Sequence, residues 1–126
     1  MARVKEVVDY AYDAGLYVVL NVHHDDALWL VPTNDKLESD KATLTSIWKQ
    51  ICTTFQDYDH RLIFEGMNEP RVIGSATEWS GGTPEEREVI NQLFQACIGR
   101  DDPFDPIGGL CTLDLCDLHQ PLQFSG

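Results

Sequence analysis

The chain has 126 residues, of which 43% are hydrophobic and 24% are charged, so it forms at most one small unit with a modest core. Its formal net charge of -12 at pH 7 would repel phosphate groups, which argues against nucleic acid and membrane surfaces as partners. The sequence has no run of about 18 apolar residues that could span a bilayer, and its first residues carry charges where a secretory signal would be apolar. These features exclude a complete large enzyme barrel and leave the localisation of the chain unknown.

Cysteine spacing adds a second constraint. The four cysteines are Cys52, Cys97, Cys111 and Cys116. They could in principle form two bridges, but there is no C-x-x-C pair and no dense framework of the kind that small secreted domains use. We therefore predict free thiols.

The character of the sequence changes near Ala96. Residues 96–126 show no sustained helical or strand periodicity, and prolines and glycines divide them into pieces too short for a helix. We therefore separate a patterned unit, residues 1–95, from a divergent C-terminal tail, residues 96–126, which we expect to be poorly ordered.

The first helix and the first strand follow from hydrophobic spacing. Apolar residues at helical intervals from Val4 to Ala14 predict a helix that stops at Gly15, because glycine readily adopts the left-handed conformation. The next run, LYVVLNV, is short, apolar and β-branched, so we predict a buried strand there. A helix is thus followed directly by a strand.

Two further helices and one further strand complete the patterned unit. Apolar residues at helical intervals between Asp40 and Phe55 predict a second helix, with Ser39 or Asp40 placed to cap its start. The segment RLIFEGMNEP predicts a second strand. Thr83 as a cap, Pro84 at the first helical position and the two acidic residues that follow predict a third helix.

The predicted order, α-β-α-β-α, indicates an α/β fold in which parallel strands are joined by right-handed crossovers. A (β/α)8 barrel takes about 250 residues, and a doubly wound domain usually needs about four or more strands. The chain therefore corresponds to roughly a quarter to a third of either fold.

Polar residues follow both predicted strands. Those after the first strand are Asn21, His23, His24, Asp25 and Asp26. Those after the second are Asn68 and Glu69, which are followed directly by Pro70 and Arg71. A carboxyl group at a strand end, next to an amide and near apolar residues, can donate a proton near neutral pH, as leaving-group protonation in glycoside hydrolysis requires. We therefore expect the chemistry of this chain at its strand ends.

The segment IFEGMNEPR, joined to the earlier segment LYVVLNVHHDD, resembles glycoside hydrolase family 5, and in particular its endo-β-1,4-glucanase members. The resemblance covers residues 1–95 and implies an incomplete (β/α)8 TIM barrel, running from the second helix to the fourth, with an irregular C-terminal tail. It also implies an endo-acting retaining hydrolase without a cofactor, whose substrate is a β-1,4-linked polysaccharide such as cellulose or mixed-linkage glucan. The family commonly acts outside the cell, so the resemblance implies a secreted or cell-surface parent enzyme.

The resemblance implies roles for individual residues. Glu69 matches the catalytic acid/base, Asn68 matches the neighbour that hydrogen-bonds the sugar 2-hydroxyl, and His23 matches the histidine beside the cleaved bond. His24 is a further substrate-binding candidate. No residue after Glu69 matches the nucleophilic glutamate at the end of the seventh strand, and retaining hydrolysis needs two carboxyl groups about 5 to 5.5 Å apart. We therefore expect the chain to be catalytically incomplete by itself.

Several of these residues have alternative interpretations. Trp29 and Trp79 lie in predicted loops, where an indole can stack on a sugar ring or anchor a long loop. Trp48 lies on the apolar stripe of a helix and is expected in the core. Glu65 is interpreted as a barrel-interior acid whose cationic partner belongs to a strand that this chain lacks, so that it would be buried and unpaired here. The plain alternative for Glu69 is a loop carboxylate without chemistry.

A metal site is the alternative for the residues that follow the first strand. The pairs His23–His24 and Asp25–Asp26 contain suitable ligand types, but adjacent strand residues point to opposite faces and a third and fourth ligand at set spacing are lacking. We therefore predict substrate contact and no metal at this position.

The alternative to a hydrolase segment is a non-catalytic sugar-binding or barrel-complementing module. Both ends of the family resemblance fall inside helices, so we also expect that Met1 is an internal methionine and that residues 96–126 come from a shifted reading frame. A two-stranded part of a barrel exposes its sheet edges and one face, so marginal stability or aggregation is expected.

Overall fold

A computed structural model describes residues 1–23, 25 and 28–97. The elements are α1 (Ala2–Asp13), β1 (Val18–Asn21), α2 (Leu37–Phe55), β2 (Leu62–Glu65) and α3 (Pro84–Cys97). This order confirms the predicted α-β-α-β-α arrangement. The tail proposed from residue 96 onward lies almost wholly outside the described residues, and α3 itself continues to Cys97. In the described part of the chain, no helix is long and apolar enough to cross a membrane.

The two strands form a parallel sheet, as their connection through a helix predicts. Val18 pairs with Leu62, and the register continues to Asn21 opposite Glu65. Because the strands are parallel, their carboxyl ends lie at the same edge of the sheet. The two polar segments that follow the strands therefore start from neighbouring positions.

The core lies between the sheet and the packed pair α2 and α3. Its most deeply buried side chains are Leu30, Pro32, Leu44, Phe55, Val89 and Leu93. Trp48 is also buried, and its indole Nε1 donates a 3.2 Å hydrogen bond to the carbonyl of Gly66 at the end of β2. The prediction that Trp48 belongs to the core is confirmed.

The described residues cover only one face of the sheet. Leu62 and Phe64 are buried, whereas Ile63 between them is exposed. In β1 the side chains of Val18 and Leu20 pack against the core but are only partly buried, and Val19 is 58% exposed. The prediction of a buried first strand is therefore wrong, because the described residues include no element that covers the second face.

Two helix ends agree with the sequence pattern. Gly15 follows α1 with φ at +79°, and its amide donates a 3.0 Å hydrogen bond to the carbonyl of Tyr12. Before α3, the Thr83 hydroxyl accepts a 3.2 Å hydrogen bond from the Glu86 amide, and the Glu86 carboxylate accepts one of 2.9 Å from the Thr83 amide. This reciprocal pair is a capping box, so the predicted start of α3 at Pro84 is confirmed.

The start of α2 differs from the prediction. The helix begins at Leu37, so Ser39 and Asp40 lie inside its first turn and neither is the cap. Asp40 is buried, and its Oδ2 accepts a 3.1 Å hydrogen bond from the amide of Val31 in the preceding loop. The Ser39 hydroxyl donates to the carbonyl of Lys36 at 2.8 Å. Asp40 therefore joins the loop to the helix instead of capping it.

Two of the four cysteines lie in the described part of the chain, so the free-thiol prediction for all four stays a prediction. Cys52 and Cys97 are buried thiols that form no disulfide in the described part of the chain. The Cys97 thiol lies 3.8 Å from the carbonyl of Gly66, which also accepts the Trp48 hydrogen bond. Cys111 and Cys116 lie outside the described residues.

Candidate active site

A backbone hydrogen bond joins the two polar segments beyond the ends of the strands. The amide of Asn68 donates to the carbonyl of Val22 at 2.8 Å. His23 directly follows Val22 and Glu69 directly follows Asn68 in the chain. The parallel pairing of the two backbones thus continues beyond the last residues of β1 and β2. The polar residues that follow each strand therefore begin at neighbouring positions on the same edge of the sheet.

Glu69 has a backbone conformation that sets it apart. Its φ is +32°, and it is the only non-glycine residue with a positive φ in the described part of the chain. Its side chain is 65% exposed. Arg71 donates from Nη1 to the Glu69 carbonyl at 3.2 Å, and the same nitrogen lies 3.7 Å from Glu69 Oε2. The carboxylate therefore lies open to solvent with a cation beside it.

The residues at the end of β1 are only partly described. His23 is exposed, and Asp25 is partly buried. His24 and Asp26, both predicted substrate contacts, lie outside the described residues, so both stay predictions. No group of three or more His, Cys, Asp or Glu side chains in the described part of the chain could hold a metal ion.

Glu65 does not match its sequence interpretation as a buried, unpaired acid. It is exposed, and its Oε2 accepts a hydrogen bond from Nδ2 of Asn21, its register partner in β1. The interpretation is wrong because Glu65 points to the open face of the sheet, where water and the Asn21 amide solvate the charge.

The two loop tryptophans have different environments. Trp29 is partly buried against the core, and its Nε1 donates a 2.7 Å hydrogen bond to Oδ1 of Asp25, which favours the interpretation as a loop anchor. Trp79 is 74% exposed. The guanidinium carbon of Arg71 lies 4.5 Å from the centroid of the Trp79 ring, so a cation covers one face of an otherwise exposed indole.

Arg71 and Glu78 were not among the site residues predicted from the sequence. Glu78 Oε1 accepts a 3.1 Å hydrogen bond from Arg71 Nε, and Glu78 Oε2 accepts one of 2.8 Å from the amide of Gly74. The position of Arg71 directly after Asn-Glu-Pro in the sequence could have identified it as a site residue. Glu78 had none, because it lies in a loop without periodicity and its partner is seven residues away.

Comparison with known proteins identifies relatives over most of the described chain. The family model "Cellulase (glycosyl hydrolase family 5)" matches residues 1–100. Endoglucanase A of Ruminococcus albus is 50% identical over 93 residues, which are 74% of this chain and 25% of that protein. Cellulase/esterase CelE of Acetivibrio thermocellus is 50% identical over 96 residues, which are 76% of this chain and 12% of that protein.

Solved structures agree with this relationship. A xyloglucan-specific endo-β-1,4-glucanase from a metagenomic library, in complex with cellotriose, matches with a TM-score of 0.74 and 52% identity, over 78% of this chain and 29% of that one. A broad-specificity endoglucanase from Ruminococcus champanellensis with bound cellotriose matches with a TM-score of 0.73 and 49% identity, over 78% and 28%. This chain thus spans at most about a third of these relatives, which are TIM-barrel enzymes. From the family model and the identities together, the chain belongs to glycosyl hydrolase family 5.

Proposed function

We propose that this chain is a segment of an endo-acting retaining β-glucan hydrolase, an incomplete (β/α)8 barrel that contributes the general acid/base to β-1,4-bond cleavage. The family membership and the endoglucanase names of the relatives support this proposal. The observation that carries it is the position of Asn68 and Glu69, which lie three and four residues after the last residue of β2, where the Asn68 amide is hydrogen-bonded to the carbonyl of Val22 beyond β1.

Glu69 is the proposed general acid/base. In the first step its carboxyl group donates a proton to the glycosidic oxygen as the bond to the anomeric carbon breaks and a second carboxylate attacks that carbon. In the second step the Glu69 carboxylate takes a proton from the water that hydrolyses the glycosyl-enzyme intermediate. The exposed side chain of Glu69 supports this role, because an open carboxyl group can approach a bound polysaccharide.

The nucleophile must be a different residue. Glu65 is the last residue of β2, and its carboxylate on the open sheet face is hydrogen-bonded to Asn21, whereas a retaining enzyme needs a second carboxyl group about 5 to 5.5 Å from its acid/base. We propose that the nucleophile belongs to barrel strands that the longer relatives contain and that residues 1–97 do not include. Under this proposal the chain has no hydrolytic activity by itself.

The remaining proposed contacts are to the substrate, a β-1,4-linked polysaccharide such as cellulose or mixed-linkage glucan. Asn68 is proposed to donate to a sugar 2-hydroxyl, and His23 and His24 to line the subsite beside the cleaved bond. Trp79 is proposed to stack on a sugar ring, which its exposed indole supports. Trp29 keeps a substrate-binding role only as a proposal, since its contacts are those of a loop anchor.

The second candidate function that we propose is a non-catalytic sugar-binding or barrel-complementing module. One observation favours it: Val19 and Ile63 lie in register on the open sheet face, where a further part of a barrel could pack. The two candidates differ in whether Glu69 takes part in chemistry once the barrel is completed.

The experiment that separates the candidates is complementation. The full chain is mixed with a fragment that carries the remaining barrel strands of a family 5 relative, and hydrolysis of a soluble β-1,4-glucan is measured. We expect activity only in the mixture, and a loss of about 100- to 10,000-fold with Glu69→Gln. Glu88→Gln, at an exposed position of α3, is the matched control and should retain activity. Restored hydrolysis that is insensitive to Glu69→Gln would refute the first candidate.

A further inference from the structure

In the loop between β2 and α3, the ring of Trp79 stacks on the guanidinium of Arg71. The Arg71 guanidinium covers one face of the Trp79 ring, with 4.5 Å between the guanidinium carbon and the ring centroid. Trp79 is nevertheless 74% exposed. An indole that is this exposed would ordinarily sample several rotamers, so the stacked cation restricts an otherwise mobile side chain.

Arg71 is itself held from two directions. Its Nε donates to Glu78 Oε1 at 3.1 Å, and its Nη1 donates to the carbonyl of Glu69 at 3.2 Å. The side chains of Arg71 and Glu78 are 22% and 16% exposed, so this ion pair is largely shielded from solvent. Both ends of the guanidinium therefore have a bonded partner while its plane lies against Trp79.

Glu78 also shapes the loop that carries Trp79. Its second oxygen, Oε2, accepts a 2.8 Å hydrogen bond from the amide of Gly74, where the backbone turns with φ at +79°. Glu78 thus joins the turn at Gly74 to Arg71, and Trp79 is the next residue in the chain. The position of the indole follows from one connected set of contacts that ends at the Glu69 peptide.

We propose that Arg71 is a positioning residue that holds the Trp79 ring, as a sugar-stacking surface, at a set place relative to Glu69. The proposal rests on the proposed function and adds to it the residue that organises the loop. Arginine suits this role because its planar guanidinium stacks on an aromatic face and donates at its edges at the same time, which a lysine ammonium does not do. The ring face opposite Arg71 is the one available to a sugar.

The first test is spectroscopic and does not depend on activity. In the full chain labelled with ¹³C and ¹⁵N, the Trp79 ring current should shift the Arg71 Hδ and Nε–H signals upfield. Trp79→Leu should return these signals to ordinary positions, and Glu78→Gln should reduce the shift because it weakens the ion pair. Arg71 signals that do not respond to Trp79→Leu would overturn the proposal.

The second test measures the affinity of the full chain for cellotetraose by titration. Arg71→Met should weaken binding by about two- to five-fold, the range expected from loss of an exposed cation–π contact. Arg71→Lys should recover only part of the loss. Arg71→Met should have no further effect when Trp79 is already leucine, because the two residues act through one surface. Arg3→Met, on α1, is the control that should leave affinity unchanged.

The outcomes separate this inference from the proposed function. Wild-type binding that Arg71→Met leaves unchanged would overturn the positioning role alone and leave the proposed function intact. If the wild-type chain shows the ring-current shift but binds no cellotetraose, the contact is only structural, which overturns the positioning role and counts against sugar binding by this loop. Restoration of hydrolysis by complementation remains the separate test of Glu69.

Discussion

The Asn21 amide donates a hydrogen bond to the Glu65 carboxylate, and the two residues are register partners at the ends of the parallel strands. Both side chains point to the open face of the sheet. A carboxylate in this position keeps its hydration and gains one amide donor, so it does not carry the desolvation penalty of a buried acid. The pair therefore adds a polar contact at the strand ends to a sheet face on which Val19 and Ile63 are apolar.

Glu65 is expected to contribute little to stability. Glu65→Gln should change the free energy of unfolding by less than about 1 kcal/mol, because exposed polar contacts are weak. Leu62→Ala, in the same strand but with a buried side chain, should cost about 2 to 5 kcal/mol. Urea denaturation of both variants measures the contrast. Comparable losses of unfolding free energy in the two variants would contradict the prediction that Glu65 contributes little to stability.

The open sheet face should promote self-association of the chain. Val19 and Ile63 lie side by side on it and are 58% and 37% exposed. Replacing both with threonine keeps the β-branch but removes apolar surface, so sedimentation velocity should detect a larger monomer fraction. Val7→Thr, which removes an exposed valine from α1, is the matched control. An equal effect of the control would show that association is not specific to the sheet.

The left-handed backbone of Glu69 should reduce stability. A non-glycine residue at a φ of +32° is strained, so Glu69→Gly should raise the free energy of unfolding by about 1 kcal/mol. Glu69→Gln keeps the side-chain length and should change it by no more than about 0.5 kcal/mol. Chemical denaturation compares the two. A stability gain with glutamine as large as that with glycine would assign the effect to charge and not to the backbone.

Asp40 should be more important for stability than its place in a helix suggests. Asp40→Ala removes one of the two acceptors of the Val31 amide and leaves only the Trp29 carbonyl at 3.0 Å, so we expect a loss of about 1 kcal/mol in the free energy of unfolding. Asp40→Asn retains an acceptor oxygen and should lose less. Thr43→Ala, at an exposed position of the same helix, is a control that should have a small effect. Thermal and urea unfolding report the order of the three variants.

Acid sensitivity should arise partly from Asp59. The Arg61 amide donates to Asp59 Oδ1 at 2.9 Å, and Arg61 Nε lies 3.1 and 3.2 Å from the two carboxylate oxygens. The hydrogen bond from the Arg61 amide is the largest cause that lowers the pKa of Asp59 from 3.8 to about 2, and the Arg61 guanidinium is the next largest. The carboxylate is thus favoured in the folded state more than in the unfolded chain.

The sign of the pH effect follows from this lowered pKa. The contribution of Asp59 to stability is present above the unfolded pKa of 3.8 and is lost as the pH falls towards about 2. The difference in unfolding free energy between wild type and Asp59→Asn should therefore decrease as the pH falls from about 5 to about 2. Urea titrations at several pH values measure it. A difference that stays constant through this range would contradict the assignment to Asp59.

Local patterns were sufficient to predict the elements of this fold. Helical spacing, the glycine after α1 and the Thr-Pro-Glu-Glu sequence at the start of α3 act over a few residues, so each could be interpreted without knowing what packs against it. The parallel pairing of the strands followed from their helical connection. The polar residues at the strand ends, with the Asn-Glu-Pro motif among them, also indicated the family.

Environment and long-range contacts depended on tertiary structure. The sequence pattern of β1 is that of a buried strand, but burial depends on what covers each face, and Val19 remains exposed. Asp40 has the chemistry of a helix cap, yet its carboxylate binds the amide of Val31, nine residues earlier. Arg71 contacts Trp79 and Glu78 because the loop that carries all three residues folds back on itself. Hydrophobic periodicity in the sequence does not indicate contacts of this kind. Residue types and short spacings establish local backbone preferences, whereas exposure and side-chain partners are properties of the packed chain.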